Sequence, residues 1–508
     1  MIIDLRAAPR MRGKTPLEPV PAIESLLAEL AAADVDLERV RVVCDWIQYK
    51  ESFRVPVALR PVLTDVPAQA ASGSDSEADA EPASGREFAS NALEIAVDLR
   101  RGAAAELGTE LKQALAGYAA GITQPPGIAL EPWAPTSQSC IWQFNSLYWR
   151  ALDKWELATG RGYEQALPGG RSDARDVATV RDIIYELLRI WDELDARHAL
   201  PAELYVVELG VGNGSQARVW LDEFAHIDRT HGRDYYQRLH YLIGDYSPQV
   251  LERARQAVQP HADRVSSLVL EATRPQVTLG FLRDKAFCVY ISNVYDNLPT
   301  DQIAAIGGRH YLVQSRAYLP AADAADIAAQ FTTTPAQLPA LTSRLLRLGP
   351  ELLAEAAPAQ FADLSQAVSF WQRTWTALRL TERYVPLEGL DQYAATSALT
   401  GEVLRPLLEG QGDVTMHVSN GALASFADTL ALLHPYGRLI CHDLFVTEPG
   451  QYRHGFYGPG KYDGSVVNWV NGPLLQLAAS RRGFGVTISP FAGRPNANVR
   501  TLTATVRD

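Results

Sequence analysis

The run Glu208-Leu209-Gly210-Val211-Gly212-Asn213-Gly214 lies between an apolar stretch, Leu204 to Val207, and a segment from Gln216 to Phe224 with apolar residues at helical spacing. A strand that feeds a helix through so tight a turn needs residues without a β-carbon. Such residues reach backbone angles closed to others and let a ligand approach the main chain. The N-terminus of the following helix then offers free N–H donors, so the order predicts a nucleoside-bearing cofactor over the turn. Leu239 to Gly244 reads as a second buried strand. It ends in Asp245, with Tyr246-Ser247-Pro248 beyond it and a helix from about Gln249 to Val258. A carboxylate at that strand end has two oxygens for the two hydroxyls of a ribose, which makes Asp245 the candidate sugar ligand. Two further apolar runs, Val265 to Leu270 and Ala286 to Ile291, are followed by Glu271-Ala272 and by Ser292 to Pro299. Four strands that end in polar residues on one sheet edge predict an α/β fold.

Spacing narrows the cofactor. A dinucleotide site wants G-x-G-x-x-G; Gly210 and Gly212 fit, but Ser215 stands at the third position and the extra glycine comes one residue early. The path from Gly210 to Asp245 also exceeds the roughly 20 residues of such units, which makes His226 to Arg238 a loop or an extra helical turn. The pattern E-x-G-x-G-x-G fits better. It resembles the first motif of class I methyltransferases, and the resemblance implies S-adenosylmethionine as cofactor. Within Glu208 to Pro299 the motifs resemble the MidA-like family, which includes a mitochondrial complex I assembly factor acting on a protein arginine. That family has an E-L-G-x-G-x-G turn, an acidic end to the second strand followed closely by Ser-Pro, and a block after the fourth strand that begins Asn-Glu and ends Leu-Pro. The counterparts are Glu208 to Gly214, Asp245 to Pro248 and Asn293 to Pro299. The resemblance covers about a fifth of the chain. It implies a cofactor site of Glu208, Gly210, Gly212, Gly214, Asp245, Tyr246 and Asn293, with Glu271 and Ala272 against the adenine. Val294 stands where the family has glutamate. A guanidinium is best recognised by carboxylates, so the chemistry of methyl transfer carries over and the arginine substrate does not.

At 508 residues the chain is too long for one core. Residues 1–130 read as a separate small α+β domain. Within it Asp65 to Arg86, rich in Ala, Ser, Gly, Pro and acids, reads as a linker or disordered loop. Residues 131–200 are helical and aromatic. Trp142, Phe144, Tyr148, Trp149 and Trp155 suit either a packed core or, given the resemblance, a lid on the active site. Residues 201–320 supply the first part of a Rossmann-like sheet, 321–410 a helical insertion punctuated by prolines, and 411–508 the remainder. Two late strands, Val486 to Pro490 and Val499 to Val506, suit the antiparallel edge hairpin of a seven-stranded class I methyltransferase sheet. The aromatic, glycine-rich segment Tyr452 to Trp469 is expected beside the acceptor.

Formal charge is −12, which disfavours a nucleic-acid binder. No apolar run is long enough to span a bilayer, and Met1 to Arg12 has no signal-peptide pattern, so a cytoplasmic location is expected. Cys44, Cys140, Cys288 and Cys441 form no C-x-x-C pair, which argues against zinc. Methyl transfer is an in-line displacement at a sulfonium-activated carbon and needs alignment more than a nucleophilic side chain. Asn293, Tyr295, His442 and Asp443 are the candidates for positioning or deprotonating an acceptor nitrogen or oxygen. The added segments suit a peptide, a protein or a bulky small molecule as acceptor, or a homodimer interface. A nicotinamide oxidoreductase and a catalytically silent assembly protein are the alternative readings.

Overall fold

A computed structural model of the protein describes residues 2–6, 19–32, 37–45, 47, 51–65, 92–99, 104–119, 127–160, 162–163, 177–494 and 497–507. In chain order the principal elements begin with β1 (Ile2–Leu5), α1 (Pro19–Ala32), β2 (Val40–Asp45), β3 (Val57–Val62), β4 (Ala92–Asp98) and α2 (Ala104–Ala119). Then come α3 (Cys140–Arg150), α4 (Leu152–Thr159), α5 (Val177–Ala196), β5 (Leu204–Leu209), α6 (Ser215–Thr230), β6 (Leu239–Asp245), α7 (Pro248–Ala257), β7 (Val265–Val269) and β8 (Ala286–Ser292). They are followed by β9 (Gln302–Ile306), β10 (Arg309–Pro320), α8 (Ala321–Gln330), α9 (Leu338–Ala356), α10 (Leu364–Ala377), β11 (Arg379–Leu387) and β12 (Val414–His417). The chain closes with α11 (Asn420–Leu430), β13 (Leu433–Val446), α12 (Gly472–Ser480), β14 (Phe484–Pro490) and β15 (Val499–Val506). These elements form two units, one of residues 1–145, 301–417 and 449–467, the other of 146–300, 418–448 and 468–508.

The second unit is built on a sheet in the order β7-β6-β5-β8-β13-β15-β14. The first five strands are parallel, whereas β15 runs antiparallel to both its neighbours. Counted along the chain, the order is 3-2-1-4-5-7-6, and its direction reverses between β5 and β8. Such a reversal opens a crevice beyond the carboxyl ends of the strands, where ligands of α/β sheets bind. One face is closed by α5, whose Val180, Ile183, Ile184, Leu187, Leu188, Trp191 and Leu194 recur at helical spacing and are buried. Trp191 meets Phe224 and Phe287 edge-on, each at 5.7 Å between centroids, and Trp220 stacks on Phe224. This aromatic cluster fixes α5 and α6 against β5, β6 and β8.

The other unit carries a ten-stranded sheet whose main path is β1-β2-β4-β3-β11-β10-β9-β12. Leu26 and Leu30 of α1 and Leu107, Leu111 and Leu115 of α2 pack with Val42, Cys44, Ile95 and Val97. The N-terminal strands and the later insertion therefore share one sheet, rather than forming a separate domain and a helical insertion. Residues 321–410 include β11, and β10 has twelve residues because Tyr311, Val313, Ser315 and Ala317 alternate into the core. The polar run Gln314-Ser315-Arg316 conceals that period in the sequence. Val414–His417 pairs with β9 and not with the methyltransferase-like sheet. The predicted cap over 131–200 is likewise divided: Ala134–Pro135 pairs with β10, while α5 belongs to the second unit's core. The predicted disordered stretch lies, from residue 66, outside the described residues.

Segment 449–467 is also held in the first unit. Gly460–Tyr462 pairs with Ser465–Val467 and with Glu51–Ser52. Lys461 is buried, and its Nζ donates to the carbonyls of Trp375, Thr376 and Leu378 at 2.6–3.0 Å, capping the end of α10.

Between β3 and β11 the ladder has a single residue pair, Tyr384 with Val62. Side chains reinforce it: Tyr384 donates to Glu94 Oε1 at 2.7 Å, and Arg60 lies between Glu94 (3.0 Å) and Glu382 (2.6 Å). Burial opposes ionisation of Glu94, yet Arg60 and Arg41 hold its pKa below the usual value. A depressed carboxylate stabilises the fold above its unfolded pKa and loses that contribution as pH falls. Glu94→Gln removes one of the two carboxylates that hold buried Arg60 and should cost about 3 kcal/mol in urea unfolding at pH 7. The deficit relative to wild type should shrink in acid.

Candidate functional site

The three motif glycines all take left-handed backbone angles, with φ +73° at Gly210, +56° at Gly212 and +78° at Gly214. Each is walled in. A β-carbon at Gly210 would overlap Cγ2 of Val294, and one at Gly214 would come 2.7 Å from Cα of Ala254 on α7. The N–H groups of Gly210 and Val211 donate to the carbonyl of Gly244 at 2.8 and 3.2 Å, which ties the turn to β6. The helix α6 starts directly afterwards at Ser215, whose N–H donates to Asn213 Oδ1 at 3.1 Å, so the positive end of the helix lies beside the turn.

Asp245 ends β6 against this turn. Its Oδ2 accepts from Gly212 N at 3.3 Å and its Oδ1 from Ser247 N at 3.0 Å. Each oxygen retains capacity for a second donor, the arrangement a vicinal diol requires. Burial pushes its pKa to about 6, against the lowering effect of the backbone N–H groups. Tyr246, next in the chain, is exposed, as is Glu271, which accepts from Thr273 Oγ1; Ala272 is partly buried. Leu270 N donates to Asp245 O, so the Glu271-Ala272 step follows directly on the strand end that carries Asp245.

Asn293 begins the turn after β8. It is exposed, with φ +52°, and its N–H donates to His442 O at 2.9 Å. A left-handed non-glycine at a strand end stores strain, a frequent mark of functional sites. Val294 packs onto Gly210, which gives the residue in the family's glutamate position a steric task.

Four of the predicted site residues face the interior instead. Glu208 is buried and accepts from Tyr241 Oη at 2.6 Å, so its carboxylate is turned into the sheet and away from the crevice. Tyr295 is 1% exposed, and burial raises its pKa well above the ordinary value. His442 faces the side of β13 shared with Tyr290 and Phe491, and its Nδ1 meets Thr501 Oγ1 at 2.9 Å. Burial lowers its pKa to about 4, leaving it neutral and unsuited to taking a proton from solvent-facing substrate. Asp443 caps the 295–297 turn, with Oδ2 accepting from the N–H groups of Val294, Tyr295 and Asp296 and Oδ1 from Leu444 N. Beside it, burial and the charge of Asp443 raise the pKa of Asp296 well above normal. The alternation of side chains along β13 decides these directions, and no sequence signal gives the depth of each strand end.

Tyr163 is a site neighbour that sequence reasoning missed. Its hydroxyl lies 3.0 Å from where a Gly212 β-carbon would be. It meets Trp149 edge-on at 5.9 Å, and Trp149 Nε1 donates to Asn297 Oδ1 at 3.3 Å. Glu156 holds the approach by accepting from Tyr163 N and from Arg253. Of the predicted aromatic face, Trp142, Phe144, Tyr148 and Trp155 are core, while Trp149 reaches the turn after β8.

Residues 184–375 match the family model described as "Putative S-adenosyl-L-methionine-dependent methyltransferase". That stretch takes in β5 to β8 and the turns after them, so this part of the chain is similar to S-adenosylmethionine-dependent methyltransferases. Among solved structures, the chain is similar to a COG1565 superfamily member from Burkholderia thailandensis bound to S-adenosyl-homocysteine. The identity is 13%, with 73% of this chain and 88% of that one covered and a TM-score of 0.43. A native structure of a COG1565 superfamily protein from the same organism gives 15% identity, 73% and 87% coverage and a TM-score of 0.39. The CurJ carbon methyltransferase gives 10% identity, 82% and 74% coverage and a TM-score of 0.29. A search of curated proteins finds no match. Among the described residues no helix is long and apolar enough to cross a membrane.

Two pH responses follow for the second unit. A carboxylate that accepts from both hydroxyls of a diol must be ionised, so a ribose held by Asp245 predicts that affinity for S-adenosylhomocysteine falls below about pH 6 by calorimetry, and that Asp245→Asn binds weakly and without that pH dependence. Burial raises Glu208 from 4.5 to about 8. The folded state then keeps a proton that the unfolded chain releases, and stability is full below about pH 4.5 and declines as pH rises toward 8. Glu208→Gln should abolish that decline and exceed wild type in stability at alkaline pH.

Proposed function

We propose that S-adenosylmethionine lies over Gly210 to Gly214, with its ribose on Asp245 and its adenine beside Glu271 and Ala272, and that its methyl group passes to a nitrogen or oxygen acceptor. The observation that carries this reading is the Asp245 carboxylate, bonded to Gly212 N at the turn and open to two more donors. Glycines keep the backbone accessible, and the start of α6 favours the cofactor's carboxylate. When bound, the cofactor supplies a methyl carbon activated by its sulfonium. The acceptor lone pair forms the new bond as the carbon–sulfur bond breaks, and S-adenosylhomocysteine leaves. Asn293, exposed at the end of β8, orients the acceptor through its amide. With Tyr295, His442 and Asp443 turned inward, the acceptor's proton passes to water. An acceptor already nucleophilic at neutral pH suits such a site best. Tyr163 and Trp149 shield the reacting carbon from solvent. The acceptor class we favour is a peptide or a bulky small molecule, given the large first unit that the chain carries besides the one with the glycine turn.

Calorimetry with S-adenosylhomocysteine and with NAD separates this function from that of a nicotinamide enzyme. The former should bind one equivalent and the latter none, with Asp245→Ala weakening binding by about 1–3 kcal/mol. Unchanged affinity in that variant removes Asp245 from the ribose role. The inward acids also favour a second reading, a methyltransferase fold that binds cofactor without turnover. Absence of label transfer from S-adenosylmethionine to both protein and small-molecule fractions of a cell extract would select it.

A further inference from the structure

In the first unit β10 and β11 pair antiparallel, with Gln314 opposite Arg383 and Arg316 opposite Thr381. Side chains alternate along strands, so Gln314, Arg316 and Arg383 share one face while Ser315 and Glu382 lie on the other. On the first face the guanidinium carbons of Arg316 and Arg383 stand 4.9 and 4.6 Å from the centre of the Trp133 ring. Arg383 gives Nε and Nη2 to Gln314 Oε1 at 3.0 and 2.7 Å. Arg316 Nε is buried without an acceptor. Neither arginine has a carboxylate at ion-pair distance among the described residues. Glu382 is engaged on the opposite face by Arg60, and Glu131 accepts from Ser139 Oγ, Cys140 N and Ala317 N.

Two half-buried cations side by side are an expensive arrangement. Burial lowers the pKa of Arg316, and burial together with the neighbouring Arg316 charge lowers that of Arg383 to about 10, so both stay charged at neutral pH. An aromatic face offsets part of that cost and no more. Elsewhere the same unit pairs its buried arginines with acids, as Arg54 with Asp45 and Arg60 with Glu94 and Glu382. The chain has 59 acidic residues against 47 basic ones, so carboxylates are not scarce. Tyr318, two residues beyond Arg316 on the same face, is 3% exposed and its hydroxyl has no partner. Trp133, Arg316 and Arg383 remain partly open to solvent.

We propose that Arg316, Arg383 and Trp133 form a binding site for a small oxyanion, a phosphate or a carboxylate group, which neutralises the arginine pair. Guanidinium forks present paired N–H donors that match the two oxygens of either group. The indole walls the site and keeps the forks in place.

The test uses the full chain at constant ionic strength, titrated with inorganic phosphate, with acetate and with chloride, and read by calorimetry and thermal melting. Phosphate or acetate should bind saturably to wild type and raise its melting temperature, whereas chloride should not; the oxyanion that saturates identifies the chemistry of the ligand. Arg316→Gln and Arg383→Gln should each melt at or above wild type without oxyanion, because one uncompensated charge is gone. Each should lose at least about ten-fold in affinity. Arg316→Lys, which keeps the charge and loses the fork, should fold normally and bind more weakly. The proposal is overturned if neither oxyanion saturates at tens of millimolar, if affinity is the same in all variants, or if both Gln variants melt well below wild type.

Discussion

Three residues in the left-handed region, each enclosed on a different side, hold the crevice of the second unit's sheet in shape. Gly210 lies under Val294 from the end of β8, Gly214 against Ala254 of α7, and Gly212 beneath Tyr163. A side chain at any of them would need both a disfavoured backbone angle and the displacement of a neighbour. Strand, helix and the turn after β8 therefore meet at positions only glycine occupies without strain. That convergence brings the Asp245 carboxylate to Gly212 N and sets the start of α6 directly after the turn. The cofactor geometry proposed above depends on it.

Around this turn most of the ionisable groups serve the scaffold. Asp443 accepts from three backbone N–H groups to hold the 295–297 turn, Glu208 is bonded to Tyr241 inside the sheet, and His442 lies neutral among Tyr290, Phe491 and Thr501. A reaction at a sulfonium carbon tolerates this, because alignment and exclusion of water supply the rate without a strong internal base. The same buried acids make the second unit's stability respond to pH in a direction opposite to that of ion-paired carboxylates such as Glu94.

The first unit shows a different solution. Its sheet joins chain segments more than 200 residues apart through one backbone pair, Tyr384 with Val62, and a charged cluster centred on Glu94 and Arg60. Removal of a single partner there strands a buried charge, whereas the Arg316 and Arg383 pair is stranded already. The contrast between compensated and uncompensated arginines on one sheet is what marks the second pair as unusual.

The local readings were legible in sequence wherever short-range chemistry dictates them. The glycine turn, the acidic end of β6, the apolar runs of β5 to β8 and the closing hairpin β14–β15 follow from β-carbon sterics and hydrophobic period. Tertiary structure alone decided which sheet each later strand joined. Val414–His417 and β10 carry no mark of their partners, since pairing is set by segments far away in the chain. It also decided that Glu208, Tyr295, His442 and Asp443 turn inward, and that Tyr163 stands over Gly212. A residue's type fixes what chemistry it is capable of; which face of its strand is buried, and against what, belongs to the packing of the whole chain.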